Sequence, residues 1–202
     1  MSDMPQHIEF YFDFSSPYGY IASRLIDDLG ARHGREVVWK PILLGAIFKL
    51  TGGGPLTGIP IKGAYAQHDF VRTARLLDVP FSMPAPFPFS SIAAVRAFHW
   101  LQPTDPVAAH DLARALYDFA FSGNDISAPA TVAARAAAIG IDPDSLLAAI
   151  DTPDVKDRAR AENDAAVAKG VFGSPYIIVD GEPFWGVDRL PQVERWLETG
   201  GW

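Results

Sequence analysis

Two strand-rich ends enclosing a long helical middle limit the folds open to this chain of 202 residues. Near the start, HIEFYFDF (7–14) is aromatic and β-branched with imperfect alternation, which predicts a buried strand. Ser16 then stands in an N-cap position and Pro17 in the first helical one. Tyr20, Ile21, Leu25, Ile26 and Leu29 recur at the spacing of one helix, and Gly34 is a suitable stop. EVVWKPIL (36–43) reads as a second short strand, with Pro41 at its end or edge. At the far end, SPYIIVDGEPFWG reads as two strands joined by Asp180-Gly181, a type I′ hairpin pair. LPQVERWLETG closes the chain as a helix with Asp188 as its cap.

The middle carries no strand signal. GAIFKL leads into the broken, polar loop TGGGPLTGIP, followed by the helical pattern AYAQHDFVRTARLL. VPFSMPAPFPFSS is too proline-rich for regular helix and is expected to be extended. Helices are expected over 91–101 and 107–121, then in TVAARAAAIG and SLLAAI. A last one has Thr152 as cap, Pro153 at its first position, Asp154 at its positive end and Gly170 as its stop. A β-α-β start must be parallel and right-handed, and a closing hairpin antiparallel. The expected class is therefore α/β: a mixed four-stranded sheet with helices on its faces and a large all-helical insertion.

The chain contains no cysteine, which excludes disulfides, thiolate-ligated metals and a catalytic thiol of its own. A net charge of −7 argues against a general nucleic-acid binder. Lys40, Lys62, Arg72 and Arg75 fall in a stretch poor in acids, which suits either a small anion or plain solvated surface. No histidines pair at metal-ligand spacing, so no metal is expected. The start, MSDMPQHIEF, lacks a basic segment followed by an apolar one, and no apolar run approaches 18 residues. A cytoplasmic protein with no membrane contact is the expectation.

Five segments in fixed order carry a family likeness: FYFDFSSPYGYIAS, KPILLGAIFK, PIKGAYAQHDFVRTA, PFPFSS and GVFGSPYIIVDGEPFWGVDRL. They resemble the cysteine-less branch of the DsbA-like superfamily, which comprises 2-hydroxychromene-2-carboxylate isomerases and kappa-class glutathione transferases. The likeness runs across essentially the whole chain. It departs from the family pattern at Gly53 and Gly54, where asparagine is frequent, at Ser90 in place of asparagine, at Ser174 in place of valine, and at Val187 in place of a polar residue.

The resemblance implies a discontinuous thioredoxin-like domain (1–43 and 171–202) and a helical insertion (44–170) whose last helix packs back on it. It implies a homodimer that binds glutathione and a small aromatic carboxylate. Ser16 occupies the place of the attacking cysteine of a C-x-x-C motif, here Ser16-Pro17-Tyr18-Gly19. Its hydroxyl would donate to the glutathione sulfur and, with the helix start, favour the thiolate. Ser174-Pro175 would be a cis peptide whose backbone pairs with the cysteinyl unit. Val187 and Asp188 would take the γ-glutamyl end, and Lys62 the glycyl end or a substrate carboxylate. Lys40, Gly53, Gly54 and Tyr65 would form the second-substrate wall, covered by Phe48, Phe87 and Phe89.

Read without the family, Ser16 and Asp188 are helix caps, the phenylalanines are core, and Arg72 pairs with Asp69 on one helix. The implied activity is glutathione-dependent isomerisation of 2-hydroxychromene-2-carboxylate, or a related aromatic 2-oxo acid, to trans-o-hydroxybenzylidenepyruvate. A kappa-type transferase and a non-catalytic binding protein are the alternatives.

Overall fold

Alternation in the first strand places Ile8, Phe10 and Phe12 on one side, and all three are fully buried. This strand, β1 (His7–Phe12), lies at the centre of a sheet ordered β2-β1-β3-β4. β2 (Glu36–Pro41) runs parallel to it, and β3 (Tyr176–Val179) antiparallel. β4 (Glu182–Trp185) closes the hairpin. Asp180 and Gly181 have φ of 52° and 90°, the two positive values that a type I′ turn requires. The structure is a computed structural model and describes residues 7–202. The reading of the first six residues lies outside it.

The helix expected over 17–33 is two: α1 (Pro17–Ser23) and α2 (Ile26–Arg32). At the break, the Arg24 and Leu25 N–H groups donate to carbonyls three residues back, at 3.3 and 3.0 Å. Such tight bonds end an α-helix. Both halves keep their apolar residues on the sheet side, so the sequence period passes through the break unchanged. Arg24 is drawn outward into a two-pronged bond with Asp118, at 3.0 Å each.

The middle folds into α3 (Leu44–Thr51), α4 (Lys62–Leu76), α5 (Ile92–Leu101), α6 (Pro106–Ala120), α7 (Pro129–Ala137), α8 (Pro143–Ala149) and α9 (Pro153–Ala168). The proline-rich passage between α4 and α5 contains no helix, as expected. Thr152 precedes α9 but does not cap it, because its hydroxyl donates backwards to the Ala149 carbonyl at 2.7 Å. The final helix, α10, spans Leu190–Thr199. Asp188 is not its cap either: it lies in a 3-10 turn over Val187–Arg189, which shifts the helix start past it. No helix among the described residues is long and apolar enough to cross a membrane.

The two sheet faces are closed differently. On one, Phe12 packs against Phe98 of α5 and Tyr117 of α6, with ring centres 6.3 and 5.4 Å away. One continuous apolar cluster thus joins the sheet to α5–α8, and truncating Phe12 to alanine would cost about 3–5 kcal/mol. On the other, Tyr11 and Tyr176 meet Ile47 of α3 and Ala166 of α9. Asn163 of α9, buried, accepts the Leu43 N–H at 2.8 Å and fixes the entry to α3.

Candidate active site

Where β1 ends, Asp13 turns a charged side chain inward, to 2% exposure. A buried carboxylate must be paired by donors. One oxygen accepts the N–H and the hydroxyl of Ser15, both at 2.8 Å. The other accepts the Leu44 N–H at 2.7 Å, supplying α3 with the cap that its own preceding residue, Leu43, cannot provide. The Asp13 carbonyl accepts the Ser16 N–H at 2.8 Å and the Tyr117 hydroxyl at 2.9 Å. Asp13 therefore holds the turn that presents Ser16.

Ser16 is the side-chain cap of α1, accepting the Gly19 N–H at 3.0 Å. Its own hydrogen goes to the Ser174 carbonyl at 2.9 Å. Residues 158 apart in sequence thus meet, and Ser174-Pro175 is cis, as the resemblance implies. The Ser174 hydroxyl accepts the Asp13 N–H at 3.0 Å and fills the space beside Gly19. A Cβ on Gly19 would lie 2.6 Å from that oxygen and 2.7 Å from the Tyr117 hydroxyl, so only glycine fits there. Burial pushes the Tyr117 phenol well above its ordinary pKa, the Asp13 charge adds to this, and a bond with Ser174 opposes it. Tyr117 stays a neutral donor.

Fewer N–H groups are free at the start of α1 than its helix character suggests. Pro17 has none, and that of Gly19 is taken by Ser16. The Tyr18 N–H has no partner among the described residues. The Ser174 N–H likewise has none.

Around this knot stand two further elements, both touching α1. The first is the turn over 186–189. The Gly186 N–H donates to the Pro175 carbonyl at 3.0 Å, which ties that turn to the cis peptide. Val187 is buried there and Asp188 exposed. Gly186 has φ of 107°, and a Cβ on it would fall 2.4 Å from an Asp188 oxygen, so the turn requires glycine. The second element is α4. Tyr18 donates its hydroxyl to Asp69, which also pairs with Arg72, and Arg72 donates to the Tyr65 hydroxyl at 2.8 Å. The expected Asp69–Arg72 ion pair is present, as part of a longer chain of contacts. Burial, then Asp69, raises the Tyr18 phenol above its ordinary value, and Tyr65 and Asp188 add smaller contributions.

Of the remaining expected residues, Lys62 begins α4 and is exposed, Gly53 is exposed and Gly54 half-buried. Lys40 is elsewhere. It faces Glu162 of α9 at 3.9 Å and the Tyr11 ring at 6.0 Å, on the sheet face opposite α1. Phe89 belongs to the core against Phe121, while Phe48 lies beside Gly53. Asp13, Tyr117 and Tyr18 were not singled out from the sequence. A lone aspartate after an apolar strand was the available signal for Asp13.

The match to a model of the DSBA-like thioredoxin domain covers residues 7–198. The chain belongs to that family. It is 31% identical to 2-hydroxychromene-2-carboxylate isomerase from Sphingobium xenophagum, over 96% of this chain and 99% of that one. It is also 31% identical to glutathione S-transferase kappa 2 from Caenorhabditis elegans, over 94% and 91%. A solved 2-hydroxychromene-2-carboxylate isomerase superposes with a TM-score of 0.80 at 25% identity, covering 95% of this chain and 94% of that chain. A probable DsbA oxidoreductase from Streptomyces coelicolor shares the fold, with a TM-score of 0.73 at 18% identity over 95% and 89%. The fold is thioredoxin-like with helical additions, and the relatives are isomerases and transferases. Because this member lacks cysteine, thiol–disulfide exchange by its own side chains is closed to it.

Proposed function

We propose that the protein is a glutathione-dependent isomerase of 2-hydroxychromene-2-carboxylate or a closely related aromatic 2-oxo acid. The observation that carries this reading is the meeting of Ser16 with the Ser174 carbonyl, 2.9 Å apart, at the position where redox relatives hold a cysteine. The donor set suits glutathione. Ser174 offers a backbone edge for the cysteinyl unit, Asp188 an exposed carboxylate for an α-ammonium, and Lys62 an exposed cation for a terminal carboxylate.

When bound, glutathione supplies a thiolate that adds reversibly to a conjugated carbon, so that the former double bond rotates freely. Ser16 donates its O–H towards the sulfur and the Tyr18 N–H adds a second dipole. Together they favour the charged thiol, and a lowering by about two pKa units corresponds to about 2.7 kcal/mol. Tyr65, with its oxygen held by Arg72, has its own hydrogen free for a substrate oxyanion or carboxylate. Gly54 leaves open space where a side chain would stand, while Gly53 is flanked by the Phe48 ring. Lys40, on the opposite sheet face beside Glu162 and Tyr11, is left out of this site.

The test compares wild type with Ser16→Ala. Calorimetry is expected to show glutathione binding to both, with kcat/KM for isomerisation down about 10–100-fold in the variant. Unchanged turnover in Ser16→Ala would remove the reading. A kappa-type transferase remains a second reading, since the identity to a kappa transferase equals that to the isomerase at 31%. Product analysis separates them: an isomerase returns free glutathione, a transferase consumes it.

A further inference from the structure

We infer that the Ser174 carbonyl gates the Ser16 proton, so that the site activates a thiol only when a peptide N–H arrives beside it. This rests on the glutathione reading above and adds a rule of specificity: cysteinyl peptides are activated, thiols lacking the amide donor are not.

A serine hydroxyl has one hydrogen. Here it is spent on the Ser174 carbonyl at 2.9 Å, while the same oxygen accepts the Gly19 N–H at 3.0 Å. Both serines are nearly buried, at 7% and 9% exposure, and no other donor among the described residues reaches that carbonyl. If the hydrogen swings to a sulfur alone, the carbonyl is left orphaned. That penalty is comparable with the gain from a charge-assisted bond to the thiolate, so little net activation results. If an incoming N–H takes over the carbonyl, nothing is orphaned and the whole gain appears in the ionisation of the thiol.

The carbonyl cannot avoid the exchange by turning away. Its residue is held from one side by the Asp13 N–H on the Ser174 hydroxyl at 3.0 Å, and the next carbonyl by the Gly186 N–H at 3.0 Å. The first of these clamps needs a side-chain acceptor at position 174, which a valine does not have. The serine at this position therefore makes the gate stiff.

The experiment uses glutathione and its depsipeptide, in which an ester oxygen replaces the cysteinyl N–H without added bulk. The ultraviolet thiolate band of each bound thiol is followed against pH at saturation, in wild type and Ser16→Ala. With glutathione, Ser16→Ala is expected to raise the bound thiol's pKa by about one unit. With the depsipeptide, wild type and variant should agree within about 0.2 unit, because the proton is never released. Ser16→Gly, whose backbone tolerates a cap position, should repeat this pattern. An equal rise with both ligands overturns the gate while leaving Ser16 its role. No rise with either removes that role, and the gate with it.

Discussion

The wall made by Asp13, Ser16, Ser174 and Tyr117 is at most 9% exposed, and its side-chain polar groups are all bonded within the protein. The neighbouring stretch from Gly52 to Tyr65 is mostly exposed, with Gly63 its buried exception. Ile61 is 92% exposed with φ of 69°, Tyr65 is 62% exposed, and Lys62 has no ion-pair partner among the described residues. A buried knot holds one chemical group in one place, whereas an exposed loop can change its residues at little cost in stability. Under the proposed function the two stretches would divide the work, with thiol handling where geometry is over-determined and choice of second substrate where it is not.

The largest effect should come from cutting the knot at its hub. Asp13→Ala leaves the Ser15 and Leu44 N–H groups without their acceptor and is expected to lose about 2–4 kcal/mol in a urea melt. A loss below about 1 kcal/mol would mean that the turn is held by its backbone alone. Gly19→Ala comes next. Its methyl would press on two bonded hydroxyls at 2.6 and 2.7 Å, and overpacking of that kind costs about 1–3 kcal/mol, more than the helix propensity gained. Under the proposed function glutathione affinity should fall with it, because the Ser174 and Tyr117 hydroxyls are what must move.

The link between the two stretches can be tested by pH. Burial acts to raise the Asp69 carboxyl, but the bonds from Tyr18 and Arg72 outweigh it and hold the group below its ordinary value. A carboxyl lowered on folding stabilises above its unfolded pKa, about 3.9, and that contribution is lost as pH falls through the folded value. Stability measured from pH 5 downward should therefore decline less steeply in Asp69→Asn than in wild type. Parallel slopes would show that the Tyr18 contact with α4 carries no charge dependence. The smallest stability effect belongs to the open stretch. Tyr65→Phe should change stability by less than about 0.5 kcal/mol and act instead on KM for the aromatic acid.

Much of the fold was legible because strands and helix starts announce themselves locally. HIEFYFDF, Asp180-Gly181 and Ser16-Pro17 each settle a conformation within a few residues, and a β-α-β start fixes the handedness of its own crossover. Breaks and caps were less legible. The interruption at Arg24 keeps the apolar period intact, and Thr152 and Asp188 both have the chemistry of a cap yet spend it elsewhere. A side chain that can cap will do so only if the chain on either side leaves it facing a free N–H, which the residue itself does not decide.

The same division runs through the site. The sequence by itself determined that the chain has no thiol, that a hydroxyl stands at the mouth of the first helix, and that Ser174-Pro175 precedes a strand. Only the tertiary structure decided that this hydroxyl gives its hydrogen to the Ser174 carbonyl, that Asp13 caps a helix 31 residues away, and that Lys40 faces the other side of the sheet. The reason is physical. Composition and local pattern fix which donors and acceptors exist, but a buried donor has several possible partners, and packing brings only one of them within reach.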